Sequence, residues 1–115
     1  MRRGDLYLAN LDPSIGAEAN KTRPVVIVSR NDMNQATLRL GRGVVTVAPI
    51  TSSVTKVYDF QVRIPSGESG LRNESKIRAE QIRSIDIARL GRHLGALAAI
   101  RRDDLDRALR LHLDL

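Results

Sequence analysis

The chain has 115 residues, 42% hydrophobic and 28% charged, with a net charge of +6 and no cysteine. This suits one domain spanning residues 1–115 and excludes disulfides, thiolate metal sites and cysteine nucleophiles. No apolar run approaches the ~18 residues of a membrane-crossing helix, and Met1–Asp5 lead straight into Leu6-Tyr7-Leu8 without a leader-like apolar stretch, so a cytoplasmic protein with no membrane partner is expected. Lys21, Lys56 and Lys76 are the only lysines among 19 basic residues. An Arg-rich excess favours planar phosphate recognition and polyanion partners, although Arg-rich codon usage would give the same bias. Tyr7, Tyr58 and Phe60 are the only aromatic residues, which leaves little for an extended base-stacking platform.

Asp5–Leu11 alternates imperfectly and predicts a first strand, ended by the turn chemistry of Asp12-Pro13-Ser14-Ile15-Gly16. Residues 14–22 are small, polar and charged and predict a mobile loop. Pro24–Val28 is an unbroken β-branched run, expected to be a strand buried on both faces with Pro24 at its start. Asn31–Gln35 reads as a short helical turn and Leu38–Gly43 as an exposed turn. Val44–Ile50 predicts a second central strand. Phe60–Ile64 has period two and predicts a half-exposed strand, followed by a turn over Pro65–Gly70. Lys76–Ile85 predicts a strand bulged near Glu80-Gln81. The last segment is the clearest helix: Leu105, Ala108, Leu109, Leu111, Leu113 and Leu115 share an apolar arc opposite Asp103, Asp106, Arg107, Arg110 and Asp114. That arc is wider than one core contact needs, so part of it is expected to meet a second subunit. Short strands before one terminal helix predict a mainly β, small barrel-like domain with a helical appendage.

Glycine-rich phosphate loops, the zinc-protease helix motif and the hydrolase nucleophile elbow are absent. His93 and His112 alone do not make a zinc site, and nothing in their positions brings both to one phosphate. What remains is Arg, Glu and Thr near strand ends. Pro24 holds Arg23 extended where the loop enters a buried strand. Thr51 follows the next buried run, beside Ser52 and Ser53. Arg78 and Glu80 would share one face of an extended strand. Taken singly, each has a plain explanation: a solvated Arg, turn hydroxyls, a weak surface ion pair.

Taken in order, these segments resemble the MazF/PemK family of toxin–antitoxin ribonucleases. The resemblance is carried by Arg3–Tyr7 with Leu11-Asp12-Pro13, by Gly16 and Glu18 leading to Arg23-Pro24 and on to Ser29, by Pro49-Ile50-Thr51-Ser52, by Glu80–Asp86, by Arg89-Leu90-Gly91 and by Ala108–Leu113. It spans nearly the whole chain. It implies an SH3-like β-barrel with a C-terminal helix, working as a homodimer. It implies cleavage of single-stranded RNA at short sequences, without metal or other cofactor, leaving a 2′,3′-cyclic phosphate and a 5′-hydroxyl. It also implies a cognate MazE-like antitoxin whose acidic tail lies across the RNA groove. In the family, residues at the positions of Arg23 and Thr51 carry catalysis. Those at Glu18, Arg78, Glu80 and Gln81 contact substrate or assist, and Ser52 stands beside them. Two departures stand out. Ala19 and Lys21 replace a common Gln and Gly, which predicts a stiffer, more basic loop. Ala98-Ala99 replace a common helix-opening Ser-Pro, which leaves the helix start unset.

On this reading Arg23 stabilises the crowded phosphorane and is a candidate proton donor, Thr51 hydrogen-bonds a phosphate oxygen, and Glu80 or Glu18 accepts the 2′-proton or reads an exocyclic amine. Two rivals differ in kind. Toxins related to CcdB share a similar barrel and bind DNA gyrase without catalysis, but have no need of the Arg-Pro and Pro-Ile-Thr segments. A plain SH3-like adaptor would want an aromatic-lined groove, which this chain lacks.

Overall fold

The two β-branched runs occupy the centre of the fold, as their composition demands. A computed structural model describes residues 1–115 and orders them as β1 (Asp5–Asn10), β2 (Thr22–Ile27), α1 (Asn31–Leu40), β3 (Val44–Thr51), β4 (Gln61–Ile64), β5 (Ser75–Arg78), β6 (Arg83–Asp86), β7 (Leu90–Ala96) and α2 (Ala99–Leu113). The strands form one 7-stranded sheet in the order β4-β5-β3-β2-β1-β7, with β6 also paired to β3. Val25, Val26 and Ile27 are all 0% exposed, which meets the expectation of a strand buried on both faces. Alternate side chains of β2 and β3 feed two cores. Val25, Ile27, Val45 and Val47 join Ala9, Leu11, Ala19 and Ile85 in one. Val26, Ala48 and Ile50 join Leu6, Ile64, Ile77 and the helix residues Leu105 and Ala108 in the other.

Several elements differ from expectation. Helix α1 runs on to Leu40 and ends at Gly41 in the left-handed region (φ 69°), so Leu38–Leu40 are its last turn. Its buried face is polar, Asn34 and Thr37, and hence carries no apolar period. Asn34 is held by Ser29, whose Oγ donates to Asn34 Oδ1 (2.5 Å) and whose carbonyl accepts from Asn34 Nδ2 (2.8 Å). The strand expected over Lys76–Ile85 is two strands. A 3₁₀ turn at Ala79–Gln81 separates β5, paired with Ile50 and Thr51, from β6, paired with Val44–Val47. Strand β7 was not anticipated at all.

Helix α2 begins after Ala98, which is extended and supplies no side-chain cap. Arg101 and Arg102 N–H donate to the Ala98 carbonyl instead. Asp103 and Asp104 lie beyond the first turn. The apolar arc is narrower in its packing than in sequence: Leu105 and Ala108 are buried, while Leu111, Leu113 and Leu115 are exposed.

The outermost strands β4 and β7 do not pair, so hydrogen bonds do not close the barrel. Backbone contact does so instead. A Cβ on Gly95 would lie 2.5 Å from the Ser69 carbonyl oxygen, and one on Gly70 (φ +79°) 2.0 Å from that of Leu94. Only glycine lets β7 lie against the β4–β5 connection. Gly95→Ala is therefore expected to lower stability by about 2 kcal/mol through overpacking against backbone. A urea melt with an unchanged midpoint would contradict this account of closure.

Candidate functional site

The site begins where the central pairing ends. Val25 lies opposite Pro49 in the β2–β3 register. Pro24 and Pro49 lack the N–H that would continue the ladder, and pairing stops there. Continuing the same register by two residues sets Arg23 opposite Thr51. Both line a cleft of about 270 Å³ together with Ser52, Arg72 and Asn73. Arg23 is half-buried and oriented by Asn20, whose carbonyl accepts from Nε (2.8 Å) and whose Oδ1 accepts from one Nη (3.3 Å). Its other Nη hydrogens are unpaired. Thr51 Oγ1 accepts from the Ser53 N–H (3.2 Å), which leaves the hydroxyl proton free to donate.

A second cleft of about 360 Å³ takes in Glu18, Glu80, Gln81 and Arg83. Of the expected auxiliary residues, Glu18, Glu80 and Gln81 therefore gather apart from Arg23 and Thr51, while Ser52 stays with them. Gln81 is occupied: its Oε1 accepts from the Ala19 N–H (2.7 Å) and its Nε2 donates to the Ala17 carbonyl (3.1 Å). It anchors the β1–β2 loop. Glu18 Oε1 accepts from the Ile15 N–H (2.6 Å) and shapes the same loop. Glu80 accepts from Gln61 Nε2 (2.8 Å) and lies 3.8 Å from Arg78 Nε. Arg78 and Glu80 meet through the 3₁₀ turn rather than along one strand face as expected. Arg78 Nε and Glu80 Oε1 are buried and without hydrogen bonds. Unpaired buried groups of this kind are costly, and the attraction between the two opposite charges at 3.8 Å offsets part of that cost. Thr51 pairs with Lys76, and Arg78 with Gln61. Side chains two residues apart on a strand share a face, so Arg78 lies on the same face of the sheet as Lys76 and Thr51.

The loop between β1 and β2, expected to be mobile, is pinned. Ala19 is buried in a core. At the base, Leu11 N–H donates to the Lys21 carbonyl (2.9 Å) and Lys21 N–H to Asp12 Oδ1 (3.0 Å). Arg83 donates to the Leu11 carbonyl (3.3 Å), and Arg89 to the carbonyls of Asn10 and Asp12. Lys21 sits at φ 65°, a left-handed conformation that suits the glycine common at this position. Asn20, Gln61 and Arg72 were not singled out from sequence. Each is an ordinary polar residue whose role depends on a distant neighbour or on the cleft it reaches.

The two histidines line neither cleft. His93 stacks obliquely on Tyr7 (5.0 Å) near Asp5 (4.0 Å), and His112 lies 6.4 Å from Phe60. Burial, and then the charge of Asp5, raises the Tyr7 phenol above its ordinary value. No group of three or more His, Asp or Glu side chains is placed to hold a metal ion, and no helix is long and apolar enough to cross a membrane.

The family of PemK-like, MazF-like toxins of type II toxin–antitoxin systems matches residues 2–113, and the chain belongs to that family. Among its relatives is a Mycobacterium tuberculosis (strain ATCC 25618 / H37Rv) protein named endoribonuclease MazF9, 50% identical over 115 residues, covering 100% of this chain and 98% of the relative. The structure is similar to MazF from Deinococcus radiodurans, with a TM-score of 0.82 and 26% identity over 100% of this chain and 97% of the other. It is also similar to the Mycobacterium tuberculosis toxin MazF-mt6, with a TM-score of 0.76 and 29% identity over 96% and 97% of the two chains. The expected mainly β fold with a C-terminal helix is thus that of the MazF toxins.

Two substitutions test the loop. Lys21→Gly relieves a left-handed side-chain residue and is expected to stabilise the protein by up to about 1 kcal/mol; a lower melting midpoint would show that Lys21 is not strained. Gln81→Ala removes the acceptor of the Ala19 amide, so exchange at that amide should rise about tenfold. Equal acceleration across the core strands would mean that Gln81 acts on global stability instead.

Proposed function

We propose that the chain is a toxin that cleaves single-stranded RNA by attack of the 2′-hydroxyl on the adjacent phosphate. The observation that carries this reading is the composition of the first cleft. It presents the guanidinium groups of Arg23 and Arg72 and several hydroxyls, with no carboxylate in its lining. That is a site for an oxyanion. The neighbouring cleft carries Glu18 and Glu80, acceptors suited to exocyclic amines or to a hydroxyl proton.

In this scheme the 2′-oxygen bonds to phosphorus, the bond to the 5′-oxygen breaks, and the departing oxygen takes a proton from water, so that a 2′,3′-cyclic phosphate and a 5′-hydroxyl result. Arg23 stabilises charge on the equatorial oxygens. A guanidinium stays charged and gives up its proton poorly in neutral water, so charge and position dominate its contribution. Thr51 donates to a phosphate oxygen and orients it. Glu80, with Arg78 beside it, or Glu18 receives the 2′-proton or reads a base edge. Unstacked bases of a single strand offer those edges.

A MazE-like antitoxin with an acidic segment would complement the carboxylate-free first cleft, in keeping with the net charge of +6. Leu111 and Leu113 at the end of α2 and Leu115 just beyond it are exposed and suit a homodimer contact. The setting is the cytoplasm, where the RNA is. The gyrase-binding alternative is not favoured, since the full-length relative at 50% identity is named an endoribonuclease.

The protein, with chelator present, should cut an RNA and leave its 2′-deoxy counterpart intact. Arg23→Ala should lower the cleavage rate by at least about 10²-fold with an unchanged circular dichroism spectrum. Cleavage of the deoxy strand, or a normal rate from the Arg23 variant, would sink the scheme.

A further inference from the structure

Arg72 helps to define the first cleft but takes no part in the chemical steps above. Arg72 lies on the connection between β4 and β5 and lines the same cleft as Arg23 and Thr51. Its backbone is set on both sides. Leu71 is buried and its carbonyl accepts from the Gly67 N–H (2.8 Å). Ser75 Oγ donates to the Asn73 carbonyl (2.9 Å). The guanidinium itself is exposed and takes no partner from this chain. Arg63, Arg101 and Arg107 each find a carboxylate; Arg72 finds neither a carboxylate nor a carbonyl. A cation without a partner, carried on a fixed backbone beside a carboxylate-free cleft, is suited to an anion.

We infer that Arg72 is the second phosphate contact of this cleft and holds a phosphate next to the scissile one, an inference that rests on the RNA-cleaving reading. Arg23 is half-buried, oriented by Asn20 and opposite Thr51, so it meets the reacting phosphate. Arg72 stands on another element at the mouth and meets the flanking backbone. It contributes to binding and register rather than to the chemical step, and being aimed at phosphate it carries no base preference.

The test uses the full chain, a single-stranded RNA that it cleaves, and an uncleavable 2′-O-methyl copy of that RNA. Binding of the copy is measured from about 50 to 200 mM salt, where each phosphate contact on a single strand contributes a slope of about 0.7 in log affinity against log salt. Arg72→Gln is expected to make the slope shallower by about 0.7 and to raise KM about tenfold, with kcat at saturating RNA and the melting midpoint unchanged. Arg72→Lys keeps the charge and should restore the slope. An Arg72→Gln variant with the wild-type slope and KM overturns the inference. So does one whose kcat falls while the slope stays. If the wild type cleaves no single-stranded RNA at all, the RNA-cleaving reading fails and the role of Arg72 fails with it; if it cleaves RNA but binds the copy without salt dependence, only the role of Arg72 fails.

Discussion

The pairing of Val25, Val26 and Ile27 with Pro49, Ala48 and Val47 is the constraint on which the rest of the structure depends. Both strands are buried on both faces, and their alternate side chains belong to different cores. A slip of one residue would send every one of these side chains into the wrong core, so the register has no near competitor. The same register delivers Arg23 to a position opposite Thr51. The two prolines then end the ladder and leave these side chains facing a cleft rather than a continued sheet. Packing deep in the protein thus positions the groups proposed for chemistry at its edge.

The second structural theme is how arginine is distributed. The chain's basic character points to a polyanion, but many of its guanidinium groups serve the fold. Arg3 donates to the Val28 carbonyl and pairs with Asp106, Arg83 and Arg89 hold carbonyls at the base of the β1–β2 loop, and Arg102 donates to the Leu97 carbonyl. A planar group with several fixed donors suits this work better than an ammonium. The side chains of Arg2, Arg39, Arg42, Arg92 and Arg110 are unpaired too, but Arg23 and Arg72 are the ones that line the carboxylate-free cleft.

Loop and clefts are also coupled. Gln81 ties the β1–β2 loop to the turn that carries Glu80, and Gln61 joins Glu80 to the start of β4, since its Oε1 accepts from the Tyr58 N–H (3.1 Å). The second cleft is therefore bounded by segments that hold one another in place. Glu18 and Gln81, expected to contact substrate, are also structural parts of the cleft wall.

The amino-acid sequence alone determined the two central strands, the C-terminal helix and the positions of Arg23 and Thr51, because β-branched runs, a helical apolar period and proline act locally. It also carried the family resemblance, since ordered segments keep their spacing whatever surrounds them. It could not determine the length of α1, whose buried face is Asn34 and Thr37, nor β7, whose Leu90–Ala96 run is exposed over most of its length and holds two glycines. Only the tertiary structure decided that Arg78 and Glu80 meet across a turn, that Gln81 anchors a loop, that Asn20 orients Arg23, and that Arg72 reaches the same cleft. Each of these depends on residues distant in sequence or on a change of chain direction, and no local pattern records which partner a polar side chain will find.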